Sequence, residues 1–195
     1  MYCDFHTHDA SCAADTLKLV SAAELPAERP PGGFYALELH PWHLPETFDG
    51  LPEAFVRAAP DADALGEVGL DRLRGPSLAV QREYLRAVLR LAADLGKPTV
   101  FHCVRAFPEL LAECRAFPTV PKLLHGFQGN EARRATLADA GFLLTSSRAL
   151  PPEGGLETDA AGRDIRDVYA SCGAVPGDPV FEERLRAFLG QSAAD

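Results

Sequence analysis

Residues 99–127, TVFHCVRAFPELLAECRAFPTVPKLLHGF, hold a strand, a helix and a second strand in a single pass. Thr99–His102 is a short apolar, β-rich run, and Lys122–His125 is another. Between them a helix is expected from about Pro108, with Leu110, Leu111, Cys114 and Phe117 on its apolar side. Two strands joined through a helix predict parallel pairing, because parallel neighbours need a crossover connection. Each strand closes on a histidine, His102 and His125.

The same plan extends in both directions. Further strands are expected at Tyr2–His6, Leu17–Ala22, Phe34–His40, Ala64–Glu67, Phe142–Thr145 and Gly155–Thr158. Ser77 reads as the N-cap of a helix whose stripe is Leu85, Val88, Leu89 and Ala92, closed by Gly96 and Pro98. Another helix is expected between Asn130 and Gly141, and a terminal one carries Phe181, Leu185, Phe188 and Leu189. The connections DASCAADT (9–16) and ELPAERPPGG (24–33) are too short and Pro-rich for full helices and are expected as loops. Eight strands with helical crossovers predict an α/β fold, a distorted and compact (β/α)₈ TIM-type barrel forming a single domain over residues 1–195.

Composition narrows the function classes. With 47% hydrophobic and 24% charged residues the chain is of globular type. No run of eighteen apolar residues is present, so no membrane-spanning helix is expected. No basic region precedes an apolar one at the N-terminus, so no secretion signal is expected. Five cysteines without a C-x-x-C pair (Cys3, Cys12, Cys103, Cys114, Cys172) suit reduced thiols and a cytoplasmic location. A net charge of −9 argues against a nonspecific nucleic-acid coat and leaves room for a small local anion site.

The histidines carry the chemistry. In DFHTH (4–8) the side chains of a strand alternate, so His6 and His8 share a face, with Asp4 one layer behind. Alone, such a pair is equally a strand with polar residues facing water. His40, His102 and His125 also end strands, however, Glu67 ends another, and Asp159 follows the last. The C-terminal strand ends of a (β/α)₈ barrel converge on one face, where active sites are built. Imidazoles and carboxylates gathered there exceed the needs of one ion with an open position, so two divalent metal ions are expected. From Zn, Mn, Mg, Fe or Co, the mixed N/O donor set suits Zn²⁺, Mn²⁺, Fe²⁺ or Co²⁺ better than an all-oxygen Mg²⁺ site. Glu67, with two oxygens and a central strand, is the natural bridge. Cys103 neighbours His102 but points to the opposite face and is expected as a buried apolar residue.

In order along the chain, DFHTH, HPW, GEVGLDRL, PTVFHCVRAF, LLHGFQG and LETD resemble the TatD-related metal-dependent hydrolases of the amidohydrolase superfamily, in a compact form. The resemblance runs from about Tyr2 to Asp159. It implies a divalent-metal centre acting on phosphoester bonds, with deoxyribonucleases among the members. It also implies metal ligands at His6, His8, Glu67, His102, His125 and Asp159, with His40 the histidine near the substrate. Glu38 stands where the family usually has glycine, and Arg105 follows His102 by three positions rather than two.

These residues predict an enzyme in which Asp159 accepts a proton from the attacking water, Glu67 bridges the ions and His40 is the alternative proton acceptor. Arg72, Arg105 and Arg148 fall in loops on the metal face and are expected as an anion collar for substrate. The expected partner is a phosphoester substrate such as DNA ends or a small phosphorylated molecule, with no membrane and no obligate protein partner evident. Trp42 and His43 read equally as base-stacking or exposed loop side chains. A second reading keeps the metals and changes the bond to a carbonyl, as in a lactonase or deaminase. The bridging lysine many of those enzymes use has no counterpart here, since Lys18, Lys97 and Lys122 lie away from strand C-termini. A noncatalytic metal-dependent binding protein would lack a ligand or the base, and neither is missing.

Overall fold

The computed structural model describes residues 1–11, 13–160 and 162–191, so Cys12 of the first loop lies outside the described residues. Eight strands follow in chain order: β1 (Tyr2–Thr7), β2 (Thr16–Ala22), β3 (Gly33–Leu37), β4 (Ala64–Asp71), β5 (Thr99–Val104), β6 (Lys122–Leu124), β7 (Phe142–Ser146) and β8 (Gly155–Leu156). Each pairs in parallel with the next. A parallel bridge between Thr7 and Asp159 draws the chain after β8 against β1, which leaves a nearly closed TIM-like barrel. All eight expected strands are present, with shifted ends. β3 stops short of His40, β4 runs past Glu67 to Asp71, and β8 is reduced to two residues.

The helices are α1 (Glu53–Ala58), α2 (Leu78–Leu95), α3 (Phe107–Cys114), α4 (Glu131–Asp139), α5 (Ile165–Cys172) and α6 (Pro179–Phe188). The Ser77 hydroxyl accepts from the amide of Val80 to start α2, and Gly96 ends it in the left-handed conformation at φ 64°. Asn130 caps α4 by accepting from the amide of Arg133 at 3.0 Å. Among the described residues of 9–15 and 23–32 none is helical, as the length and prolines of these connections predict. The tail builds more wall than its length suggests. Besides α6 it forms α5, whose Tyr169 stacks edge-on against Tyr2 (5.2 Å) and Phe181 (5.4 Å) beneath β1.

Strand alternation sorts the barrel's residues. Leu37, Leu65, Phe101 and Leu124 pack outward with Leu85, Val88, Leu89 and Leu110 of the helices. Their neighbours Ala36, Ala64, Val100 and Leu123 point the other way and pack with Leu19 and Leu156. Two steps further along the same faces, at the C-terminal ends, stand Glu38, His102 and His125. The same parity delivers these three to the barrel mouth, whereas Glu67, two residues past outward-facing Leu65, reaches it through the register shift between Leu65 and Val68.

One tight contact where the barrel closes has room only for glycine. A Cβ at Gly155 would lie 2.4 Å from Cγ of Phe5, so β8 lies flat on that ring. Gly155→Ala is expected to lower the unfolding free energy by about 1–3 kcal/mol, the usual effect of overpacking, as read from urea denaturation. An unchanged midpoint would mean that the contact has slack.

Candidate metal centre

Glu67 sits at the centre of the barrel mouth and is almost wholly buried. Its two oxygens face different partners. Oε1 lies 2.7 Å from Nε2 of His8 and 3.0 Å from Nε2 of His6. Oε2 lies 2.7 Å from Nε2 of His125, 3.4 Å from Nδ1 of His102 and 3.4 Å from Nε2 of His40. Asp159 closes the arrangement from the rim, with Oδ1 3.7 Å from Nε2 of His6 and 3.8 Å from Nδ1 of His125. Three groups of potential ligands result: His6/His8/Glu67, His6/His125/Asp159 and His40/Glu67/His102.

Neighbouring groups orient the imidazoles. Nδ1 of His8 lies 3.2 Å from the Ser21 carbonyl, to which it donates, so Nε2 is left as the lone pair facing Glu67. Nδ1 of His6 meets the Ser21 hydroxyl at 3.3 Å. Nε2 of His102 lies 3.2 Å from the Asp71 carboxylate, which leaves Nδ1 directed at Glu67. His40 is arranged the opposite way. Its Nδ1 accepts from the amide of Trp42 at 3.2 Å, so the neutral ring carries its proton on Nε2, the nitrogen facing Glu67. Proximity alone would count His40 as a ligand, but its hydrogen bonding makes it a donor into the site.

The electrostatics fit a cation. His6 Nε2, Glu67 Oε1 and His125 Nδ1 are buried without hydrogen-bond partners, although His6 and Glu67 approach to 3.0 Å. A divalent cation among these atoms would take the place of the imidazole protons that otherwise balance Glu67. Burial alone would raise the Glu67 carboxyl, but His125, His6 and His102 outweigh it and hold it well below the usual range. Burial opposes charge on His6 too, and Glu67 and Asp159 overcome that, raising it well above an ordinary imidazole. Asp159 is held below its ordinary value, first by His6 and against some desolvation, so it stays ionised at the rim.

The remaining expected site residues are placed as follows. Arg72, Arg105 and Arg148 are all exposed. Arg72 is already engaged, pairing with Glu109 and donating from Nε to the Arg105 carbonyl at 2.8 Å. Glu38 is mostly buried, with Oε2 3.7 Å from Nδ1 of His8. Cys103 faces the outer layer, where burial raises its thiol to about 12. Trp42 does not hang free. Its ring packs edge-on against His40 (4.7 Å) and His102 (5.6 Å), and its Nε1 donates to Asp71 at 2.6 Å.

Three supporting acids are not apparent from strand ends alone. Asp71, on the same face of β4 as Glu67, holds both His102 and Trp42 and is itself fixed by Gln81, whose Oε1 accepts its amide at 2.7 Å. A Cβ at Gly69, between them, would lie 2.0 Å from the His102 carbonyl, so only glycine lets β4 approach β5 here. Glu157 is fully buried, and burial raises its carboxyl despite His125 and His6. It accepts from the amide of Gly126 at 2.6 Å and from the Thr145 hydroxyl. Asp4, raised to about 6 by burial, accepts from Thr158 through its amide (3.0 Å) and hydroxyl (2.7 Å), fixing the chain beside Asp159. Asp71→Asn is expected to weaken metal retention by about 10–100-fold, the usual cost of losing an imidazole's outer partner. Chelator competition followed by elemental analysis measures it, and unchanged retention would show that Trp42 packing alone orients His102.

Known proteins share both pattern and fold. Solved structures of a TatD homologue from Escherichia coli K12 (TM-score 0.64, 21% identity, 89% of this chain and 83% of that one) and a TatD-family hydrolase from Entamoeba histolytica (TM-score 0.61, 13% identity, 82% and 73%) have the same architecture. In sequence the chain is 34% identical over 111 residues to the 3'-5' ssDNA/RNA exonuclease TatD of Pantoea ananatis, covering 53% of this chain and 42% of that protein. It is 33% identical over 123 residues to an uncharacterized metal-dependent hydrolase TatD of Mycobacterium tuberculosis, covering 58% and 47%. The matches therefore span less than half the length of these relatives. Among the described residues no helix is long and apolar enough to cross a membrane. The family model for TatD related DNase matches residues 6–169, which carry the histidines around Glu67 together with Asp71, Glu157 and Asp159, and the chain belongs to that family.

Proposed function

We propose that the chain is a divalent-metal-dependent phosphoesterase of the deoxyribonuclease or phosphodiesterase type, working with two ions bridged by Glu67. The observation that carries this reading is the division of the Glu67 carboxylate, one oxygen towards His6 and His8 and the other towards His102 and His125. The exonuclease activity in the name of the Pantoea relative supports a nucleic-acid strand as substrate. Bound between those ligands, Zn, Mn, Mg, Fe or Co ions would supply Lewis acidity, making water more acidic and neutralising charge on a phosphoryl group. Asp159, ionised and open to solvent at the rim, accepts the proton of the attacking water and returns it to the leaving group. His40 presents its Nε2 proton to a phosphoryl oxygen. The buried Glu67 keeps the two halves in register and shields them from one another.

The lysines support a phosphoester over a carbonyl substrate. Lys97 donates to the Ala62 carbonyl at 2.6 Å, Lys122 to the Val120 carbonyl at 2.8 Å, and Lys18 pairs with Asp9 at 3.6 Å. None is in position to become a bridging carbamate. Metal-loaded protein assayed on bis-p-nitrophenyl phosphate, p-nitrophenyl phosphate, single-stranded DNA and a lactone tests the reading. Cleavage of the phosphodiesters is expected, and lactone hydrolysis without phosphoester cleavage would overturn it.

Arg72, Arg105 and Arg148 are assigned to substrate and not to metal. Each alanine substitution should lower kcat/KM on anionic substrates by about tenfold, the scale of a charged hydrogen bond, with metal content intact. Arg72→Ala should have the smallest effect, because Glu109 already holds that guanidinium. Wild-type kinetics in all three variants would remove the collar.

A further inference from the structure

A cavity of 840 Å³ opens beside the metal centre, between the β2–β3 connection, the end of β3 and α1. One imidazole separates the two, since His40 lines the cavity and also lies 3.4 Å from Glu67. The walls are apolar, with Leu37, Leu39, Phe55 and Pro52, and the volume falls within the range of small-molecule sites. Its charge is wrong for a phosphate. Arg29, the lining guanidinium, is held by Asp63 at 2.5 Å and by the Asp61 carbonyl, while Glu24, Glu38 and Asp61 also border the space. Glu38 stands where cavity and metal centre meet. Among the described residues its carboxylate accepts no hydrogen bond, and Nδ1 of His8, 3.7 Å away, is already bonded to Ser21.

We propose that this cavity is a nucleobase subsite and that Glu38 selects bases bearing an amino group over thymine and uracil. The link to the bond being cut rests on the phosphoesterase reading above. A flat ring suits the apolar walls, and a carboxylate, which only accepts, suits the amino group of cytosine, adenine or guanine. Thymine and uracil offer one N–H between two carbonyl oxygens, which the same carboxylate repels. The phosphate is thereby left to the metal side of His40 while the base enters the acidic, apolar side.

Calorimetric titration of the intact, metal-loaded protein with deoxycytidine and with thymidine tests the subsite without requiring turnover. Deoxycytidine should bind about tenfold more tightly, the order of one good base contact. Glu38→Gln, which both donates and accepts, should erase that preference. Ala54→Trp, on the exposed side of α1 at the cavity wall, should weaken both nucleosides with metal content unchanged. Equal affinities in the wild type, a preference that survives Glu38→Gln, or no saturable binding of either nucleoside would overturn the proposal. Bis-p-nitrophenyl phosphate, which has no base, assayed on the same samples separates the two readings. Lost hydrolysis with retained discrimination removes the phosphoesterase assignment alone, and retained hydrolysis without discrimination removes the subsite alone.

Discussion

Glu67→Gln is expected to reduce bound metal from the proposed two ions per chain to one or none and to lower kcat by at least about 10⁴-fold, because both roles of a two-ion site would be lost together. The substitution preserves size, so packing around β4 is little disturbed. It replaces one of two carboxylate oxygens by an amide nitrogen that donates and cannot coordinate. In the wild type Oε1 serves the His6/His8 side and Oε2 the His102/His125 side, so no orientation of the amide satisfies both. Elemental analysis and steady-state kinetics on one preparation, with circular dichroism to confirm folding, measure the result. Wild-type metal content in the variant would remove Glu67 from the bridging position.

Asp159→Asn should separate proton transfer from metal retention. Asp159 is the most exposed member of the constellation, with a side chain 48% accessible, and it is held in place by backbone contacts. Its amide donates to the His6 carbonyl at 3.1 Å, and its neighbour Thr158 is tied to Asp4. Asparagine keeps that shape and one oxygen but cannot take a proton from water. A general base contributes about 10²–10⁴-fold, so kcat should fall by that factor while the Glu67/His102/His125 side stays loaded. His102→Ala or His125→Ala should instead abolish activity through metal loss. Wild-type kcat in Asp159→Asn at saturating metal would remove Asp159 as the base, and His40, whose Nδ1 already accepts from Trp42, offers no free lone pair in its place.

The eight strands and the convergence of histidines were legible because both follow from local facts: short β-rich runs, and side chains that alternate. Strand ends were less so. Reading β4 as ending at Glu67 hid Asp71, although parity places it four residues along the same face, where it orients His102. α5 was legible in principle from Ile165, Val168, Tyr169 and Cys172 at helical spacing before Gly173, but charged residues between them mask the stripe. The Arg72–Glu109 pair was not legible, because it joins the loop after β4 to the first turn of α3, and only the packing of those connections brings the two together. The cavity beside Glu38 has the same origin. It forms where an irregular, Pro-rich connection is propped against α1, and no periodic pattern encodes that distance. Glu157 and Asp4 lie two positions from Asp159 and His6 in sequence, yet their hydrogen bonds form only in the closed barrel, where Glu157 meets Gly126 and Thr145 and Asp4 meets Thr158.

Metal counting tests a two-ion centre divided across one carboxylate most directly. Protein stripped with chelator, reloaded in excess Mn²⁺ or Zn²⁺ and freed of unbound ion should plateau at two ions per chain by elemental analysis. A plateau at one ion per chain, with full hydrolytic activity, would contradict the account.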